Sequence, residues 1–361
     1  MTTSVLPVAT AITPRQVLCF GEALIDFLHS GIEQQGPLQL PAYRQFPGGA
    51  PANAAVAIAK LGGKARFAGQ VGQDAFGDFL AQALQAYGVD VSLLMRHPTA
   101  KTALAFVMLD QSGDRSFSFY REQSADLLFA PAQIAADWFD AKPMLHFCSN
   151  TLTDAFIANT TSALVQQAKA AHCLVSFDVN LRHNLWQQGA ADCAVVNALV
   201  WQADIVKFSR DELQYLAGGA TEGFASSEAY IEHCLQAGCQ LILVTDGGDN
   251  IDYYRAGAPV MTVTPPKVAV VDTTAGGDAF IGGLLFSLSL IPAGTDVKAQ
   301  IPTGALLQAC IEFATACGAL TVTRPGAFPA LPVAAEMLAD LARRQIDMTA
   351  LLPLLPVHPA C

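Results

Sequence analysis

The sequence predicts an α/β fold: a mostly parallel central sheet flanked by helices, with a small β-sheet lid. Three observations predict it. Short buried-strand patterns alternate with helical segments along most of the chain. Two stretches, residues 38–46 and 102–121, lack helical period and stand outside that alternation. Hydrophobic residues make up 52% of 361 positions and charged residues 14%, enough apolar material for a large core.

In chain order, Val17-Leu18-Cys19-Phe20 reads as a buried strand ending at Gly21-Glu22. Residues 51–61 are Ala-rich and helical, with Pro51 at the start and Gly62-Gly63 as the stop. Residues 65–69 form a strand and 78–87 a helix closed by Gly88. Residues 102–109 and 116–120 read as two strands around a turn at 110–114. Together with 38–46 they make a small sheet, either a lid over a crevice or ordinary edge strands. Strands follow at 174–178, 205–208 and 241–245, with helices between, and an apolar helix runs from about 279 to 290. The fold is expected to occupy 17–345, with lid insertions at about 36–46 and 99–121 and tails at 1–16 and 346–361.

A net charge of −11 without Lys/Arg clusters argues against nucleic acid as a partner. An anionic ligand would have to be held locally, as at a helix N-terminus. Nine cysteines without a C-x-x-C pair fit buried free thiols in a reducing compartment, and they offer no zinc-ligand spacing. The first sixteen residues lack a signal-peptide pattern. The apolar run near 280–291 is too short to span a bilayer, so a soluble, cytoplasmic protein with no membrane partner is expected.

The segment with most chemical content is Val271-Asp-Thr-Thr-Ala-Gly-Gly-Asp-Ala-Phe280, directly before the apolar helix. Small residues there leave backbone N–H groups free to converge on an anion. Asp278 then sits in the first helical turn, either as a base facing an incoming hydroxyl or as an ordinary first-turn acid. In Phe46-Pro-Gly-Gly-Ala-Pro-Ala-Asn53, Gly48 and Gly49 allow a close backbone approach, and Asn53 can both donate to and accept from a sugar hydroxyl. Asp26 is a candidate of the same kind; turn formation and capping are the competing roles for all of these. Neither a Walker loop nor a G-x-G-x-x-G follows any strand.

Gly48-Gly49-Ala-Pro-Ala-Asn53 and Asp272-Thr-Thr-Ala-Gly-Gly-Asp278, in that order and about 220 residues apart, resemble the two signatures of the ribokinase-like (PfkB) carbohydrate kinases. Between them, Phe177-Asp-Val-Asn-Leu-Arg182 and Val206-Lys-Phe-Ser-Arg-Asp-Glu212 are similar to fructokinase and 2-keto-3-deoxygluconate kinase segments. Thr245-Asp-Gly-Gly-Asp-Asn250 resembles the family's nucleotide loop, and Arg324-Pro-Gly326 opens its C-terminal loop.

The resemblance implies ATP-dependent phosphorylation of a small-sugar hydroxyl, with fructose to fructose 6-phosphate first among the acceptors. Asp278 would be the base, and the amides of Ala275, Gly276, Gly277 and Asp278 the anion hole. Asp26, Gly48, Gly49 and Asn53 would hold the sugar. Ser209, Glu212, Thr245, Gly247 and Asn250 would serve the nucleotide, with Glu212 acting on Mg²⁺ through water. Backbone oxygens near Asp272, Thr274 and Gly326 would take a monovalent cation such as K⁺. Arg121 and Arg182 could pair with a sugar-acid carboxylate, contact ATP phosphates, or form structural ion pairs. A homodimer through the lid is a further family trait.

Three departures carry expectations. Ala275 replaces a family glycine and is expected to keep φ negative. Ser209 stands where many members have Asn. Asn250 replaces a second glycine and is expected to tolerate positive φ in its stead. Nucleoside acceptors, a non-catalytic sugar- or nucleotide-binding protein, and an NAD-dependent oxidoreductase remain as alternatives, the last weakened by the missing fingerprint.

Overall fold

The computed structural model describes residues 13–109, 115–219, 223–292 and 301–355. Its elements are β1 (Gln16–Phe20), β2 (Leu24–Gln35), β3 (Leu38–Gly48), α1 (Ala50–Lys60), β4 (Lys64–Gly72), α2 (Ala75–Ala86), β5 (Asp90–His97), β6 (Leu104–Leu109), β7 (Arg115–Tyr120) and β8 (Met144–Cys148). There follow α3 (Ala155–Ala170), β9 (Val175–Asp178), α4 (Cys193–Val200), β10 (Ile205–Ser209), α5 (Arg210–Gly219), α6 (Ser227–Ala237), β11 (Leu241–Thr245), β12 (Ile251–Tyr254), β13 (Met261–Val263), α7 (Gly276–Ser289), α8 (Gly304–Thr321) and α9 (Ala334–Arg344).

Nine strands form the main sheet in the order β13-β12-β11-β10-β9-β8-β1-β4-β5. The run from β11 to β5 is parallel, and only the β12 and β13 edge is antiparallel. Strand alternation divides the core into two layers. Val17 and Cys19 face the layer with α1, α2, α7 and α8, whereas Leu18 and Phe20 face the layer with α3 to α6. The α/β expectation holds.

The second sheet has the order β3-β2-β6-β7. Sequence reading finds β3, β6 and β7 but misses β2, which runs from Leu24 to Gln35, before the expected start at 36. A long hairpin pairs Leu24 with Gly48 through to Gln35 with Leu38. The turn expected at 110–114 lies outside the described residues.

One further expectation changes. The segment after α9 is not a loose tail, because Met348 and Leu351 are buried in the first core layer. The longest apolar helix is α8, which by length and hydropathy alone could cross a membrane; it is packed into the core against α7.

Candidate active site

β1 is flanked by β4 on one side and β8 on the other, so strand order reverses beside it. In open α/β sheets ligands bind outside the carboxyl ends of the strands at such a reversal. Gly21, Ser149 and Asn180 follow the ends of β1, β8 and β9 there, and Gly21 lies against Pro51 in the first turn of α1.

The Ala-rich character of α1 has a packing reason. A Cβ on Gly282 of α7 would come within 2.6 Å of the Ala57 Cβ, so only small residues let the two helices approach this closely. That approach brings Asn53 of α1 to Asp278 of α7, Nδ2 donating to Oδ2 at 2.7 Å. The Asn53 Oδ1 is buried and has no protein partner. An unsatisfied buried acceptor is costly, and a ligand hydroxyl would relieve it.

Gly49 caps α1 with φ 105°, and a side chain there would collide with the Glu22 carbonyl. Gly48 leaves the space occupied by the Asp26 carboxylate, with which any Cβ at 48 would clash. The glycine pair therefore seats an acid and turns the chain into the helix. Asp26 is pushed up to about 7, mainly by burial and then by the charges of Asp278, Asp272 and Glu22. Asp278 is raised to about 6 by burial; the Asn53 bond opposes the shift, Asp178 adds to it, and Arg182 and Lys207 lower it. Asp26, Asn53, Asp278 and Arg182 thus belong to one crevice.

At the start of α7, Ala275 has φ 59°, so the expected negative φ is overturned. The turn needs a left-handed residue to aim the helix, and the chain tolerates the Cβ strain at that point. The Gly276 amide bends back to the Thr273 carbonyl at 3.3 Å, so one of the four amides expected in the anion hole already has a backbone partner. The Asp272 carboxylate ties two loops together, accepting from the Thr274 amide at 2.7 Å and the Gly326 amide at 2.8 Å.

Glu212 lies in the first turn of α5 and accepts the Leu181 amide at 2.8 Å and the Ser209 amide at 2.7 Å. The Glu212 amide in turn donates to the Ser209 Oγ at 3.2 Å, so Ser serves as the cap that Asn would otherwise provide. Ser209 and Thr245 pair at the ends of β10 and β11. In the next loop Gly247 carries the positive φ, 53°. Asn250 does not, which corrects the expectation for it; its Oδ1 accepts from the Thr264 hydroxyl at 2.8 Å.

Of the roles left open for it, Arg121 fills that of the ion pair rather than a ligand contact. It is 5% exposed, and its nitrogens are held by Asp126 at 2.6 Å, the Asn150 carbonyl at 2.9 Å and the Thr153 hydroxyl at 3.2 Å. The chain leaves β7 at Tyr120 and re-enters the main domain there, so this guanidinium braces the root of the lid. It also faces Glu22, which accepts from Asn150 Nδ2 at 2.9 Å and the Ala50 amide at 3.1 Å. Arg182, by contrast, is exposed and near Asp278.

Sequence reasoning misses Lys207 and Asp178, a buried pair at 2.7 Å close to the α7 N-terminus. Their signal was available: one charged residue near the carboxyl end of each of two otherwise buried strands.

Comparison with known proteins agrees with this geometry. Residues 14–334 match the pfkB family carbohydrate kinase profile. The chain is 37% identical over 316 residues to probable fructokinase-7 of Arabidopsis thaliana, covering 88% of this chain and 89% of that protein. It is similar in structure to fructokinase with bound ATP from Xylella fastidiosa, with TM-score 0.81, 40% identity and coverage of 91% of this chain and 99% of that one. A fructokinase double mutant from Vibrio cholerae, with fructose, ADP and potassium ion bound, gives TM-score 0.76 and 35% identity over 91% and 99% of the two chains. With both signatures converging on one crevice and the match spanning most of its length, this chain belongs to the pfkB family of carbohydrate kinases.

Proposed function

We propose that the chain transfers the γ-phosphoryl group of ATP to the 6-hydroxyl of D-fructose. The Asn53–Asp278 pair carries this reading, because it offers a carboxylate and an unpartnered buried amide oxygen side by side at a helix N-terminus. A sugar hydroxyl supplies the donor that the Asn53 oxygen lacks, beside a carboxylate with lone pairs to spare.

In this reading Asp26, Gly48, Gly49 and Asn53 position the sugar. Asp278 accepts the proton of the attacking hydroxyl, and the amides at Ala275, Gly277 and Asp278 stabilise charge on the transferring group. Phosphoryl transfer asks chiefly for such positioning and charge stabilisation. Arg182 stands on the solvent side of the same crevice, where it can meet ATP phosphates.

Thr245, Gly247 and Asn250 border the nucleotide. A cavity of about 410 Å³ next to Asn250, lined by Thr264, Ala305, Gln308, Glu312 and Thr315, has room for its base. Glu212 keeps lone pairs beyond its two amide bonds and fits Mg²⁺ held through water; that ion would supply charge neutralisation between the phosphates. The loops joined by Asp272, near Thr274 and Gly326, would hold K⁺ with backbone oxygens.

The lid sheet carries exposed Ile32, Leu38, Leu40, Met108 and Tyr120, which suits a homodimer through the lid. The free cysteines, nearly all buried, suit the cytoplasm. With Arg121 committed internally, the site has one cation fewer for a sugar-acid carboxylate, which favours a neutral sugar. A coupled ADP-release assay over fructose, ribose, 2-keto-3-deoxygluconate and adenosine, with product identification by phosphorus NMR, tests the assignment. Preferred turnover of any acceptor other than fructose overturns it.

A further inference from the structure

Three parallel strands carry a polar row toward their carboxyl ends. Cys148, Asp178 and Lys207 are register partners on β8, β9 and β10. All three lie on the face that α7 covers, since Ile205 on that face joins its core layer and Val206 and Phe208 join the other. Lys207 is 5% exposed and Asp178 2%. The Lys207 Nζ donates to Asp178 Oδ1 at 2.7 Å. On its other side stands the first turn of α7, where a Cβ built on Gly277 would be only 3.4 Å from Nζ. Glycine at 277 thus gives the ammonium near-contact with the backbone of the anion site.

A buried ion pair is a poor device for stability, because desolvation offsets much of its attraction. Its placement under a helix N-terminus gives it another use. We propose that Lys207 is a positioning residue for phosphoryl transfer: held from behind by Asp178, its ammonium supports the Gly277 end of the anion hole and adds fixed positive charge beneath the transferring group. Only one of its three donors is taken by Asp178, so its charge is directed toward α7 as well. The inference rests on the kinase reading of this crevice.

The charged and titratable groups around Asp278 are Asp26 from β2, Cys148 from β8, Asp178 from β9, Arg182 from the following loop and Lys207 from β10. Among these only Arg182 and Lys207 are cations. Lys207 is the one shielded from water, so its field is the less screened.

The test compares Lys207→Met, Asp178→Asn and the double variant, with kcat and KM measured for fructose and ATP. The expected result for Lys207→Met is a fall in kcat of roughly 10²–10³-fold with both KM values within about threefold of wild type. Should removal of one charge prevent folding, the double variant removes both and keeps the core neutral. It is expected to fold and to remain slow by the same factor. Wild-type kcat in Lys207→Met, or its recovery in the double variant, overturns the proposal, because the pair would then serve only its own neutralisation. Asp278→Asn is measured alongside: activity in that variant removes the base assignment, whereas activity in the Lys207 variants removes only this inference.

Discussion

Asn53 Nδ2 donates to Asp278 Oδ2 at 2.7 Å across 225 positions of sequence, locking the first turns of α1 and α7 together. The bond favours the ionised carboxylate, so its loss should be visible in pH dependence. Asn53→Ala is expected to raise the KM for fructose by roughly 3–10-fold, the equivalent of one hydrogen bond between neutral groups. It should also move the acidic limb of kcat/KM to higher pH. Initial rates across the range of about pH 5–9 check both; a limb at its wild-type position would detach Asn53 from Asp278.

Asp278 must be ionised to accept a proton, and its folded pKa is raised to about 6. Activity should therefore be full well above pH 6 and decline as pH falls through it. Asp278→Asn should lower kcat by ~10²–10⁴ and remove that limb, leaving fructose binding measurable by calorimetry. Near wild-type turnover in this variant would exclude the proton-acceptor role.

Asp26 combines sugar binding with a cost to the fold. Its pKa is raised, so the folded state holds the proton more tightly than the unfolded one. Stability from this group is present at low pH and lost as pH rises from the unfolded value toward about 7. Asp26→Asn should raise Tm by roughly 2–4 °C at pH 8 and weaken fructose binding, a trade between stability and function. A lower Tm at that pH would show that the carboxylate is stabilised by contacts other than those described.

Ala275 keeps a Cβ at φ 59° where glycine carries no penalty. Ala275→Gly should stabilise the chain by about 0.5–1 kcal/mol, less than the full left-handed penalty because glycine also loosens the unfolded state. Urea unfolding of the two proteins measures the difference. Destabilisation would mean that the methyl group, which is buried, contributes more through packing than it costs in strain.

Much of the site was readable because backbone chemistry writes itself into residue type. Gly48-Gly49 and Gly276-Gly277 mark places where a side chain cannot be accommodated or where amides must stay open, and Asp278 follows them by helix geometry. β2 was unreadable for an equally physical reason. Its Leu24–Gln35 segment passes from buried to exposed along its length, so neither strand alternation nor a buried run persists long enough to be seen. The role of Arg121 stayed open and the backbone at Asn250 was misread because residue type states what a group can do and leaves open which partner reaches it first.

The order of strands and helices, the two glycine-rich turns and the acid beside the second of them were set by local sequence, since propensity and sterics act over a few residues. Whether Asn53 meets Asp278, which arginine stays open to the crevice and which lysine lies beneath the helix were decided by the folded chain alone. Those relationships depend on how close two helices pack and where parallel strands end, distances that arise between segments far apart in the sequence.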